Sequence, residues 1–465
     1  MNRIAANSLA IWGRNVIAMV FGLFSSRWTL MALGADGLGL YGALMGLMAF
    51  AGLIGGVMQL SMVRSMSISA GRGSEHEIHD LLRVSMLLSL IFAALLLLAA
   101  LPCGEFYVRR FMSMDEGFRP CAVWTWRLVV MGAIANAFAM PCASLLTARQ
   151  RFPTLAAVGL VQTIVNFALA AFMLFGFSCH SSPRILLVFG IGNAVVAIAV
   201  SILTMFVAGR RSVAASWNLG GVPLREMLAK SRELVRYAAC ELWSGLGDVV
   251  RRSGTALYLN NAFGGSSTAA WGIGNTVNVH ATSLSSAVLN AFMPAAMKGG
   301  TAGLELALSS ARWGFFTTAV FAVPFCFMSE QVVRLWLGKP PEGAAFFAAA
   351  IVAGTMIQRV GNAQHLVVME KGRVALYHVI VGTTSMLTLG VAVWICASIG
   401  YRGAGWAVVV SFIVITLERV VLGRMIADVG ILHWARAVLF PCALFALAMA
   451  LLSFIVMKVL ELWIF

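Results

Sequence analysis

Charge is scarce in this 465-residue chain: 11% of residues are Asp, Glu, Lys or Arg, 60% are hydrophobic, and the mean hydropathy is +0.90. Soluble domains carry about 25% charged residues, so that class is excluded, and no stretch is long and polar enough to form a separate soluble domain. Acidic residues are the scarcest charges, 18 against 33 Lys and Arg. The eight cysteines include no CxxC pair and read mainly as inert buried thiols, with a disulfide among Cys103, Cys121 and Cys179 as the alternative. Nothing resembles a catalytic triad or a phosphate-cradling P-loop, and the longest outer connection, residues 104–120, is too short to house catalytic acids beyond Glu105, Asp115 and Glu116. No small-residue cleavage site follows the first apolar run, so that run is read as a membrane helix and not as a signal peptide. The expectation is a non-enzymatic integral membrane protein without a resident cofactor or metal.

What is abundant is apolar sequence in lengths that cross a bilayer, each crossing needing about 20 residues. Helices are expected near 8–33, 39–63, 81–103, 121–147, 154–177, 184–208, 234–262, 267–295, 308–329, 344–369, 374–399, 403–425 and 437–463. With the N-terminus in the cytoplasm, inner connections hold Arg3, Arg72, Arg149, Arg151, Arg210, Arg211, Arg225, Lys230, Arg232, Lys298, Lys371, Arg373 and Arg424, and outer ones fewer basic residues. The net charge of +15 is therefore largely positive-inside bias and contact with anionic lipid headgroups, and requires no nucleic-acid partner.

Against this background the intramembrane charges stand out. Arg14 and Arg27 lie in a first span that has no acidic residue. A cation in hydrocarbon costs at least a few kcal/mol, so it points to an anionic ligand, with snorkelling to the nearer interface as the competing reading. Thirteen residues at 100° each place the two roughly 220° apart, so a straight helix cannot present both to one cavity. Arg64 closes the second span. Arg127 sits beside Trp124 and Trp126, which read as an interfacial belt. The seventh span carries Glu241, Asp248, Arg251 and Arg252; Asp248 and Arg252 have the i, i+4 spacing of an ion pair. These are candidates for ion coupling or gating (Glu241, Asp248) and for anion binding (Arg251, Arg252), or they form a structural salt bridge. Gln358, Arg359, Asn362 and His365 form a polar stripe on the tenth span, and Asn275 and Asn278 on the eighth; such residues either line a cavity or hydrogen-bond between helices. The same holds for Gln162, Asn166 and Asn193. Glu418 and Arg419 are expected to cluster with Arg424. His76 and His79, flanked by Glu75 and Asp80, read as a solvated helix start in preference to a metal site.

Residues 209–233 hold Gly220, Gly221 and Pro223 before a basic amphipathic stretch, a linker with an interfacial helix. They divide the chain into a first lobe, 1–208, a second, 234–425, and one extra C-terminal helix, 426–465. The halves echo each other: Leu33-Gly34 and Tyr41-Gly42 recur 230 residues on as Phe263-Gly264 and Trp271-Gly272, as in a duplicated bundle.

In order along the chain stand Ser26-Arg27, Leu33-Gly34, Gly39-Leu40-Tyr41-Gly42, Arg64 and Gly71-Arg72-Gly73. The second half has Asn260-Asn261 with Phe263-Gly264, Ala269-Ala270-Trp271-Gly272, Pro294 to Lys298, and Leu335-Trp336-Leu337-Gly338 with Pro340 and Pro341. In these motifs the chain resembles the polysaccharide (oligosaccharide) flippases of the MATE-like, or MOP, exporter superfamily. The resemblance implies an all-α polytopic fold of two pseudo-symmetric six-helix bundles around a central cavity. It also implies alternating-access transport of undecaprenyl-diphosphate-linked oligosaccharide across a bacterial inner membrane. The substrate's diphosphate would meet the arginine forks. Coupling to H+ or Na+, a monomeric state and contact with other polysaccharide-assembly proteins are further expectations. A cation-coupled multidrug exporter, a lipid II flippase and a membrane glycosyltransferase or polymerase are the alternatives.

Overall fold

The structure, a computed structural model, describes residues 2–71, 75–177, 181–209, 242–296, 300–370 and 374–464, and among these every regular element is helical. In chain order the helices are α1 (Asn2–Gly71), α2 (Glu75–Leu95), α3 (Leu101–Arg110), α4 (Arg119–Ala148), α5 (Phe152–Phe175), α6 (Pro183–Ala208), α7 (242–263), α8 (Gly265–Ala296), α9 (Gly300–Phe327), α10 (Ser329–Leu337), α11 (Ala344–Val360), α12 (Asn362–Glu370), α13 (Val374–Ile399), α14 (Gly403–Ala427) and α15 (431–464). Among the described residues eight helical stretches are long and apolar enough to cross a membrane, nine if the α11–α12 pair, bent by 48°, is one span. Two of them, Gly13–Ala70 and Ala375–Ala427, have length for two crossings each. The protein is a multi-pass membrane protein.

The chain divides into two compact units, Met1–Leu242 with Asn260–Gly265, and Trp243–Leu259 with Ser266–Phe465. The expected linker after Gly209, and Glu241 with it, lie outside the described residues. In the first unit α4 packs along α6 and α1 along α5. Met66, Ile78, Leu82 and Leu145 form one buried cluster there and Met86, Cys142 and Leu146 another. In the second unit α14 packs against α11 and α13. The last helix is part of that unit: Trp434, Val438 and Cys442 pack with Leu308, Phe315 and Val323 of α9, and Phe445 meets Phe316 at 4.6 Å between ring centroids.

Helix boundaries differ from expectation where local chemistry bends but does not end a helix. The first two spans run into one another, broken only at Gly34, whose φ of 72° and ψ of 174° belong to a region that is essentially glycine-only. Gly264, its counterpart 230 residues later, separates α7 from α8 and also has positive φ, 85°. The two breaks are thus alike in backbone as well as in offset.

The connection expected over 104–120 shrinks to 111–118, because α2 continues through a π turn, Leu96–Ala100, into α3. Pro102 removes the donor that Leu98 would use, and the wider turn absorbs the ring. A π turn near the C-terminus, Ala435–Leu439, precedes Pro441 in the same way. Glu105 therefore sits on a helix and not in a loop. It accepts two bonds from Arg127 of α4, at 2.9 and 3.0 Å, and two from Arg109, at 2.6 and 3.0 Å. Trp126, expected at the interface, is 1% exposed: its ring lies where a Cβ on Gly104 would stand, and its indole donates to the Leu101 carbonyl at 3.0 Å. Trp124 does face outward, under the Arg127 guanidinium at 4.7 Å.

At Gly34 a Cβ would stand 2.5 Å from Ser181 Oγ and 3.1 Å from its Cβ, whereas nothing lies within 4 Å of one at Gly264. Strain at such a position costs about 1–3 kcal/mol. Gly34→Ala is therefore expected to lower the melting temperature of the purified protein, and by clearly more than Gly264→Ala. Equal shifts for the two variants would contradict the assigned geometry.

Candidate functional site

The first unit contains a cavity of about 690 Å³ bounded by the second half of α1 with α2, α4, α5 and α6. Its apolar wall is built from methionines and small residues, among them Met45, Met48, Gly52, Gly55, Gly56, Ala133 and Met140. The room exists because α1 carries glycine there: a Cβ at Gly52 or Gly56 would meet nothing within 4 Å. Into this space come five side-chain amides, Gln59, Asn136, Gln162, Asn166 and Asn193, with the hydroxyls of Tyr41, Ser201 and Thr204. Among the described residues no carboxylate, ammonium or guanidinium belongs to the lining.

The amides differ in what they already hold. Asn136 accepts from Ser201 Oγ at 3.0 Å, and Asn193 donates to the Phe189 carbonyl one turn back at 2.8 Å. Asn166 Oδ1 is buried without a partner among the described residues. A buried acceptor left bare costs about 1–3 kcal/mol, so this position suits a ligand hydroxyl or a water. Of the lining, Gln162, Asn166 and Asn193 were visible in the sequence as polar residues in apolar spans. Gln59 and Asn136 were missed: each is a single amide in a long helix, and only packing brings them together.

The cationic candidates of α1 are not in this lining. Arg14, Phe21 and Trp28, spaced by seven, form the stripe that faces α5. The Arg14 guanidinium lies 3.0 Å from where a Gly159 Cβ would stand, and Phe21 and Trp28 each meet Phe167 at 4.7 Å. Arg14 Nε is buried there without a hydrogen-bond partner among the described residues. Arg27, one position before Trp28, leaves that stripe by about 100°; it is half-buried and has no ion-pair partner among the described residues. The two arginines thus stand on different faces of one helix. Arg64 is exposed near the end of α1.

In the second unit Asp248, Arg251 and Arg252 form one ionic group on α7. Both guanidiniums reach the Asp248 carboxylate, Arg252 Nε at 3.0 Å from Oδ2. Arg251 is buried, its guanidinium 4.4 Å from the Phe412 ring centroid on α14, while Arg252 is about half exposed. The helix here is a π turn, Val250–Gly254, and no proline accounts for it. Carbonyls displaced by the wider turn take side-chain donors: Thr255 Oγ1 to Arg251 O at 2.6 Å and Trp271 Nε1 to Arg252 O at 3.0 Å. Such turns often accompany functional positions.

The other polar candidates of this unit differ in what they hold. Asn275 donates to the Trp271 carbonyl at 3.0 Å, and Asn278 Oδ1 is buried without a partner among the described residues. Gln358 and Arg359 end α11, Asn362 begins α12, and the 48° bend at Gly361 takes them off one straight face. Arg419 of α14 packs its stem over Gly361 and donates to Asn362 Oδ1 at 2.7 Å; the His365 ring meets that of Tyr377 at a tilt, with centroids 4.8 Å apart. Glu418 accepts from Thr384, and Arg424 pairs with Asp428, so the cluster expected from Glu418, Arg419 and Arg424 does not form. Local neighbours win because each partner is one turn or one adjoining helix away. Cys103 and Cys121 are free thiols, and Cys179 lies outside the described residues. Glu75 opens α2 and pairs with Arg149 at 2.6 Å, and no group of three metal-ligating side chains occurs among the described residues.

No protein-family model matches the chain, and no curated protein is similar to it. Solved structures are. The inward-facing conformation of a multidrug resistance MATE family transporter of the MOP superfamily aligns at a TM-score of 0.71 and 14% identity, over 90% of this chain and 98% of that one. The fold is that of the MATE-type transporters. The inward closed conformation of the lipid II flippase MurJ aligns at 0.64 and 12% identity, over 98% of both chains. A MOP superfamily transporter from Pyrococcus furiosus, described as having a binding pocket of reversed polarity, aligns at 0.59 and 14% identity, over 90% of this chain and 95% of that one.

Asp248 holds two guanidiniums, and hydrogen bonds to charged groups contribute about 1.5–3 kcal/mol each. With Arg252 half exposed, the loss on Asp248→Asn is expected near the lower end, about 2 kcal/mol, seen as a lower melting temperature. Phe412→Leu is expected to cost more than the ~1 kcal/mol of the lost cation–π contact, because the ring is fully buried and also fills the space beside Gly354. An unchanged melting temperature for Asp248→Asn would show that the group does not hold α7.

Proposed function

We propose that the protein is a flippase that carries lipid-linked oligosaccharide or polysaccharide repeat units, on an undecaprenyl-diphosphate carrier, across a bacterial inner membrane by alternating access. The observation that carries this reading is the neutral lining of the cavity in the first unit. Five amides and three hydroxyls against an apolar wall suit the hydroxyls and ring faces of a sugar. A cationic drug would call for a carboxylate, and none of the described residues brings one to this lining. Each unit has a guanidinium with capacity to spare for a diphosphate: in the first Arg27, half-buried in a span without acidic residues, and in the second Arg252, half exposed and oriented by Asp248. Arg14, seated in the α1–α5 seam, is assigned to packing.

Fold similarity to a lipid II flippase and to multidrug transporters supports transport in general and does not choose among substrates. Glycan appearing on the outer leaflet of cells or proteoliposomes, at matched protein levels, is the deciding measurement. Gly56→Met fills open space in the cavity and replaces a mid-helix glycine, so the protein is expected to fold at least as well as wild type while transport falls by tenfold or more. Arg27→Ala and Arg252→Ala are each expected to reduce transport about tenfold or more, the loss of one charge-assisted contact. Full transport by Gly56→Met would refute the sugar cavity, and full transport by both arginine variants would refute the diphosphate assignment.

A further inference from the structure

The second unit has a pocket of about 550 Å³ where α10, the following turn and the start of α11 meet Arg402, and the proposed transport makes no use of it. Its lining contains the Gly338, Lys339, Pro340 and Pro341 of a sequence motif that no function above explains. Three cations, Arg334, Lys339 and Arg402, face two carboxylates, Glu330 and Glu342, a surplus of one positive charge. The carboxylates are engaged: Glu330 pairs with Arg334 at 2.6 Å, while Glu342 accepts from the Tyr401 hydroxyl at 2.9 Å and lies 3.9 Å from Arg402. Lys339 has no ion-pair partner among the described residues.

The helix that bounds the pocket is built for a lipid boundary. α10 has nine residues, too few to cross a bilayer. It buries Val333 and Leu337 in the protein, yet leaves Val332 39% and Leu335 82% exposed on another face, with Glu330 and Arg334 on a third. An amphipathic helix too short to cross, with Val332 and Leu335 on one exposed face and charges on another, has the pattern of a helix lying at a lipid interface. Gly338, with a φ of 77°, and Gly343, with a φ of 81°, turn the chain back so that the start of α11, which no side chain caps, forms another wall.

We propose that this pocket is a binding site for the headgroup of a membrane phospholipid, the phosphodiester held by Lys339 and Arg402 and the acyl chains lying against Leu335 and Val332. A singly charged phosphodiester matches the surplus of one, and the paired carboxylates offer acceptors to glycerol hydroxyls. The favoured ligand is therefore an anionic glycerol-type headgroup such as phosphatidylglycerol, in preference to a zwitterionic one.

The test uses the full chain in nanodiscs of equal phosphatidylglycerol and phosphatidylethanolamine, with the lipid that survives detergent transfer counted by native mass spectrometry. Wild type is expected to retain phosphatidylglycerol over phosphatidylethanolamine. Each of Lys339→Gln and Arg402→Gln is expected to lower that retention about fivefold, the effect of one basic residue at a lipid surface. Arg110→Gln, the same charge change elsewhere, is expected to leave it alone. Equal retention of the two lipids by wild type, which needs no variant to fold, would overturn the proposal. So would unchanged retention in both variants, or complete displacement of the lipid by inorganic phosphate, which would mark a site for the free ion.

Discussion

Inside a bilayer a backbone carbonyl or a charged side chain cannot turn to water, so each must find its partner in the protein. The irregular places in this chain show how that requirement is met. Three buried tryptophans each donate an indole N–H to a carbonyl where a helix departs from regularity. Trp126 serves Leu101 beyond the first π turn, Trp271 serves Arg252 within the second, and Trp434 serves Val360 at the bend beside Gly361, at 3.0, 3.0 and 3.3 Å. A kinked helix exposes polar backbone, and a neighbouring helix supplies a large apolar ring with one donor to cover it.

The same requirement sorts the cations. Arg127 is closed by Glu105, Arg251 by Asp248 and the Phe412 ring, and Arg419 by Asn362. These are structural settings, each tying one helix to another or to itself. Arg27 and Arg252 differ in kind: one has no acidic neighbour in its span, and the other shares a carboxylate while leaving half its surface open. Arg14 and Arg27 stand in one apolar run and neither has an ion-pair partner among the described residues; what separates them is that Arg14 packs in the α1–α5 seam against Gly159 and Arg27 lies off that stripe.

Hydropathy alone placed nearly all the helices, because length and apolarity are the physical conditions for spanning. The two helix breaks 230 residues apart, at Gly34 and Gly264, were legible in the sequence, since positive φ leaves a residue-type signature. The cavity was not legible as a unit. Gln59, Asn136, Gln162, Asn166 and Asn193 come from four helices, with no local spacing to join them. The π turns were equally hidden, and Trp126 misled because an interfacial and a kink-covering tryptophan have the same sequence neighbourhood. At the Gly361 bend the tight neighbour comes from far away in the chain, the Arg419 stem lying 3.2 Å from where a Cβ would stand.

The glycines of α1 bear on what the cavity is for. A mid-helix glycine costs roughly 0.5–1 kcal/mol relative to alanine, and α1 carries three, Gly52, Gly55 and Gly56, in the cavity wall. Gly55 has a packing reason, since a Cβ there would come within 3.1 Å of the Phe92 ring. Gly52 and Gly56 have none: both face open space that larger residues would fill with gain in helix propensity and in contact. Packing and propensity both run against them, so the volume they leave open is best explained by something that occupies it. A broad, uncharged, amide-lined space whose wall is flexible methionine suits a bulky ligand with many hydroxyls better than a compact ion. The two unusual properties of the first unit, glycines facing open space and a lining without a carboxylate among the described residues, are those that the proposed substrate, a sugar body with a separate anionic head, calls for.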